Sequence, residues 1–256
     1  MAAATISPGE KWLLRLNGGE SELQELCRLG NAPDWRVTED QGNYYLKSPD
    51  FDSLEDPREV RERGSELLRI IAGAAKITVD PHFEPIEVAG IARVEEGRPP
   101  TQFILPEPVV IEFRLRPPTV VTSDGAPLPL LAPVIDVVAM AKEDERVATA
   151  LHFWGIRHHD WHSLSKVYEN IESDVGSRIW KEGWASRGEV RRFTRTAQSR
   201  EAAGDEARHS LKKYTPPPNP MSVREAQTLV GRILKKWLAF KGEQDEGPTM
   251  RPAPRP

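Results

Sequence analysis

The chain has 256 residues, with 35 basic and 39 acidic side chains, a formal net charge of -4, 23 prolines and one cysteine. A charged fraction of 29% and a mean hydropathy of -0.53 describe a soluble polypeptide long enough for one large domain or two of ordinary size. The lone Cys27 excludes an internal disulfide framework and suits the cytoplasm, and no stretch approaches the roughly 20 apolar residues of a spanning helix, so no membrane association is expected.

The N-terminal 116 residues read as a small α+β domain that follows a short disordered start at 1–10. "KWLLRLN" (11–17) has strand character, and "DWRVTE" and "NYYLKS" (34–48) form a hairpin across "DQGN". Between them, 20–30 is helical, with Leu23, Leu26 and Cys27 at helical spacing and Gly30 as a stop; Cys27, set among leucines, reads as a packing residue. A second helix starts at Asp56 as N-cap with Pro57 at its first position and Glu59 at N3. Its stripe of Val60, Leu67, Leu68 and Ile71 runs down to Gly73, the expected stop. Strands are expected at 86–95 and 102–116, the latter interrupted by two prolines.

Residues 117–133 are dense in Pro and Gly and read as a linker. From 134 to 241 strand signals vanish, and the chain reads as an all-α domain with helices at 134–154, about 160–174, 177–183, 187–198 and 222–240. Ser222 and Glu225 form a capping box at the start of the last helix. The tail, 242–256, offers nothing to bury and is expected to be disordered. Charge divides along the same line: residues 1–150 hold 16 basic against 26 acidic side chains, and 151–256 hold 19 against 13. That asymmetry suits a polyanion partner on the basic half, and equally suits two halves that attract each other.

Three of the six histidines fall in "GIRHHDWHSL" (155–164). Asp160 is a plausible N-cap for the following helix, which puts His162 in its first turn, where the helix dipole favours a neutral ring able to accept a proton. His158 and His159 read equally well as loop residues, with His162 packed beside Trp161. A metal site is not expected: His158 and His162 would need helix between them, and a third fixed ligand is missing.

The string Arg157-His158-x-x-x-His162 resembles the R-[N/H/D]-x(3–5)-H pattern of HEPN ribonucleases, compact helical bundles with that motif at a helix start. The resemblance covers 151–241 at most. It implies metal-independent RNA cleavage, with His162 moving a proton and Arg157 stabilising charge at the phosphorus. The family places its motif later in the bundle than the early helix here. Separately, "YYLKSPDFDSL", "WHSLSKVYENIESDVG", "GDEARHS" and "PPPNPMSVREAQTLV" resemble a group of bacterial proteins without an assigned activity, and imply the two-part architecture alone.

A second polar stretch, 192–210, carries Arg192, Arg195, Arg208 and His209. His209 is a candidate third catalytic group, and the three arginines are candidate nucleic-acid contacts; their alternative role is to form surface ion pairs. Trp180 and Trp184 read as interface anchors, or as a platform for stacked bases. No nucleotide-binding loop, Gly-x-Ser-x-Gly or Cys-x-x-Cys is present, so no cofactor is implied. Two function classes stay open, an RNA-acting domain and a non-catalytic module that binds a protein partner or a second copy of itself.

Overall fold

A computed structural model describes residues 11–29, 32–94, 101–103, 133–199 and 216–245. The N-terminal part contains β1 (Trp12–Asn17), α1 (Glu20–Arg28), β2 (Arg36–Asp40), β3 (Asn43–Lys47), α2 (Pro57–Thr78), β4 (Glu87–Arg93) and β5 (Thr101–Phe103). The strands form one antiparallel sheet in the order β2-β3-β1-β4-β5. The helical part follows as α3 (Val134–Glu143), α4 (Glu145–Trp154), α5 (Trp161–Val175), α6 (Arg178–Lys181), α7 (Arg187–Gln198) and α8 (Val223–Asp245). This is the α+β architecture read from the sequence, a sheet with its helices followed by a helical region. The linker span 117–132 lies outside the described residues, as do 104–116, where most of the last strand was expected.

Local chemistry accounts for the elements. The β2–β3 hairpin closes over Gln41 (φ 50°) and Gly42 (φ 76°), two successive positive-φ residues, the geometry whose twist matches the flanking strands. α2 begins as expected, with Asp56 accepting from the Arg58 amide at 2.8 Å and Pro57 at its first position. It does not stop at Gly73 but continues to Thr78. Gly73 lies in the helix because a side chain there would collide with α4: a Cβ would sit 2.2 Å from the Leu151 carbonyl oxygen.

The helix expected over 134–154 is two helices. Asp144 adopts φ -129° and ψ 109°, ending α3 and capping α4 by accepting from the Arg146 amide at 2.8 Å. Its other carboxylate oxygen accepts from Lys241 at 2.7 Å. Lys241 also pairs with Asp174 at 2.9 Å, and the Trp237 indole donates to Asp174 at 2.8 Å. This network ties the α3–α4 corner to the ends of α5 and α8. α8 runs to Asp245, beyond the expected end at 240, and Lys241 lies in this added turn.

α2 joins the two parts. At Gly64 it meets β1 so closely that a Cβ would lie 2.1 Å from Leu14 Cδ2, and one turn past its midpoint it packs against α3 and α4. α4 then packs on α5, and α5 on α8. Buried Leu14, Leu46 and Phe51 of the sheet side, Ile71 and Ala75 of α2, and Leu151, Leu164 and Trp237 of the helices belong to a single hydrophobic cluster. Cys27 is half-buried, its thiol donating to the Val37 carbonyl, and burial pushes its pKa up, which disfavours the thiolate a nucleophile needs.

Candidate functional site

The histidine-rich segment is the six-residue turn between α4 and α5, and close packing at one end and a capping box at the other hold it. At its start Gly155 lies against α2, where a Cβ would be 2.0 Å from the Arg69 carbonyl oxygen. At its end Asp160 accepts from the Ser163 amide at 2.7 Å while the Ser163 hydroxyl accepts from the Asp160 amide at 3.0 Å. Burial pushes the Asp160 carboxyl up, but the Ser163 hydrogen bonds and the nearby His162 outweigh it and hold its pKa below the usual value.

Arg157, His159 and the Ile156 carbonyl face the N-terminal part. Arg157 lies 3.7 Å from Glu84 and 3.9 Å from Glu87, and the ammonium of Lys76 on α2 donates to the Ile156 carbonyl. Lys76 is buried; desolvation is the main reason its pKa falls to about 8, opposed by Glu84 and aided by Arg157. His159 stacks on Trp154 with ring centroids 4.5 Å apart and its Nε2 lies 2.9 Å from the Trp154 carbonyl, so Nε2 carries the hydrogen and donates. Burial brings its pKa down to about 4 against the smaller upward pull of that hydrogen bond. His159 is therefore a neutral structural ring at physiological pH.

His158 and His162 are exposed. The His162 ring packs edge-on to Phe153 at 6.0 Å, and His152 packs edge-on to the same Phe153 at 5.4 Å. Arg69 of α2 lies 3.3 Å from His152 Nε2, and since a guanidinium can only donate, that nitrogen is the acceptor. Burial, with Arg69 second, lowers the His152 pKa. The surface thus carries two imidazoles around one aromatic ring with an arginine beside one of them. Arg157 of the motif lies against Glu84 and Glu87 of the N-terminal part, and His162 packs on Phe153 of α4. Arg69 and His152 were not singled out as a pair in the sequence, and no local signal could have found them, because 83 positions separate them.

The remaining candidates scatter. His209 and Arg208 lie outside the described residues. Arg192 spans α7 and the approach to α8, donating to the Asn219 carbonyl at 2.7 Å, the Pro220 carbonyl at 3.1 Å and Glu225 at 2.9 Å. Arg195 is half-buried on α7 and has a partner of its own. Among the described residues no three His, Cys, Asp or Glu side chains are grouped to hold a metal ion. A cleft of about 540 Å³, lined by Glu143, Asp144, Arg146, Thr149, Asn170 and Ser173, opens beside the start of α4, at the end of that helix opposite the histidine turn.

No protein-family model, curated protein or solved structure matches this chain. Its chemistry therefore rests on the residues alone. An exposed and a half-buried imidazole, an aromatic ring and a guanidinium can transfer a proton, stack a base and hold a phosphate. The buried side of the turn, with Lys76, Arg157 and His159, fixes where that pair sits.

Proposed function

We propose that this protein acts on RNA through its helical region, as a HEPN-like endoribonuclease that works without a metal in a bacterial cytoplasm. The observation that carries the reading is the shared packing of His152 and His162 on Phe153, with Arg69 beside His152. In the reaction the 2′-oxygen attacks phosphorus and the P–O5′ bond breaks. One imidazole takes the 2′-hydroxyl proton and another returns a proton to the leaving 5′-oxygen. The products are a 2′,3′-cyclic phosphate and a 5′-hydroxyl. Arg157, held by Glu84 and Glu87, acts as a positioning residue for the turn rather than as the phosphate ligand the motif resemblance assigns to it.

The same placement of Arg157 favours a second reading, a non-catalytic module that docks a protein partner or another copy, since the motif's cation is engaged within the fold. End-labelled single-stranded RNA incubated with chelator separates the two. Cyclic-phosphate products are expected from the wild type, and His162→Ala and His152→Ala are each expected to lower the rate by about 10²–10³, the scale of losing a proton-transfer group or a transition-state donor. A wild type that leaves varied RNAs intact, or cleavage that survives His162→Ala, removes the catalytic reading and leaves the interaction module.

A further inference from the structure

The α6–α7 corner carries a basic, aromatic surface away from the histidine turn. On α7, Arg187 and Arg191 are exposed at a spacing of four, one turn apart on the same face, and Arg195 continues the row half-buried. The opposite face of α7, Val190, Phe193, Thr196 and Ala197, is buried in the core. The Arg187 guanidinium lies over the ring of Trp180, 5.5 Å from its centroid. Exposed Lys181 follows Trp180 directly in the chain.

The neighbouring acids do not neutralise this surface. Glu182 pairs with Arg178 at 3.1 Å, and Glu189 accepts from Arg232 at 2.6 Å and from Ser186 at 2.8 Å. Arg232 is the main cause of a Glu189 pKa near 2, so that carboxylate stays charged and engaged across the working pH range. Arg192 is likewise engaged with Glu225. Among the described residues Lys181, Arg187 and Arg191 have no ion pair, and there they form a positive surface.

The three tryptophans of this region differ in a telling way. Trp237 is fully buried with its indole N–H on Asp174, and Trp184 is buried against Phe240. Trp180 is half-buried, and its indole N–H has no acceptor among the described residues. Trp237 and Trp184 anchor the core, whereas Trp180 is half-buried beneath the Arg187 guanidinium.

We propose that this corner binds single-stranded RNA, with one base stacked on the Trp180–Arg187 layer and the adjoining phosphates on Arg191 and Lys181. The inference rests on the RNA-acting reading and deepens it by naming where the strand is held. Stacking on an aromatic–guanidinium layer accepts any base, because every base has a π-face, so affinity without strong sequence preference follows. A duplex hides its base faces and fits less well.

Binding is read by fluorescence anisotropy of a labelled 12-nucleotide single-stranded RNA, on the His152→Ala/His162→Ala background so that no cleavage intervenes. The double variant Arg187→Ala/Arg191→Ala is expected to weaken binding and to flatten the log–log salt dependence by about 0.7, the value for the one phosphate contact, that of Arg191, lost on a single strand. Trp180→Leu is expected to weaken binding about tenfold and Trp180→Phe much less, since stacking is retained. Circular dichroism of each variant keeps folding separate from binding. Affinity unchanged in the double arginine variant overturns the inference. So does displacement by duplex RNA or heparin as readily as by single-stranded RNA with no effect of Trp180→Leu, which would mark a general polyanion surface. Cleavage by the wild type together with arginine-independent binding rejects this surface and keeps the histidine site; arginine-dependent binding without cleavage does the reverse.

Discussion

His159 couples the histidine turn to pH. Its ring is neutral in the fold, stacked on Trp154 and donating to the Trp154 carbonyl, and burial holds its pKa near 4 where an unfolded histidine titrates near 6.5. The unfolded chain therefore binds the extra proton first as pH falls. Stability from this group is complete above pH 6.5 and is lost between pH 6.5 and 4, by up to about 3 kcal/mol. His159→Gln keeps a donor without the titration. Denaturant unfolding at pH 4.5 and 6.5 is expected to show a smaller drop for this variant than for the wild type, and equal drops would mean that His159 is not the buried neutral ring described.

The α2–α4 contact sets the geometry of the site. Gly73 and Gly155 let the two helices approach until backbone meets backbone, and this approach brings Arg69 on α2 to His152 on α4. Gly73→Ala would place a methyl 2.2 Å from the Leu151 carbonyl oxygen, and neither partner is a flexible side chain. The helices must separate, at a cost of at least about 1–3 kcal/mol, and a denaturation midpoint unchanged from wild type would contradict this packing. Gly242→Ala on α8, with nothing within 4 Å, is the control and is expected to leave stability unchanged or raise it slightly. Asp144 acts at the same scale: one carboxylate caps α4, accepts from Lys241 and so aligns three helices.

At the scale of the molecule, the sheet and the helices are two regions over one hydrophobic cluster, joined through α2. A cut in the chain between them does not remove that interface. When a specific protease site inserted within 117–133 is cleaved, the two pieces are expected to co-elute on size exclusion as one particle and to separate only in denaturant. Unfolding of the intact chain is expected to be one transition, with far-ultraviolet and tryptophan signals coinciding. Fragments that elute apart, or two separated transitions, would show that the regions are independent. The charge asymmetry of the sequence has a place in this contact: Arg157 of the basic half lies against Glu84 and Glu87 of the acidic half. Part of the asymmetry thus holds the halves together, and part remains on α7 as the exposed Arg187 and Arg191.

Sequence alone determined the kinds of element and many of their starts, because these depend on residues within about four positions of one another. Asp56 with Pro57, Asp160, and Ser222 with Glu225 begin helices where their side chains can reach the first free amides, and Gly42 closes the hairpin for the same local reason. Only the tertiary structure decided that Gly73 is a contact and not a stop, that Asp144 breaks a helix, and that Arg192 is a clip to Asn219 and Pro220. It also set Arg157 beside Glu84 and Arg69 beside His152, the latter a pair 83 residues apart. Periodicity records which face of a helix is buried, but it carries no information about which other helix covers that face. The partners of a side chain are chosen by the packing of distant segments, and that choice is made only when the core closes.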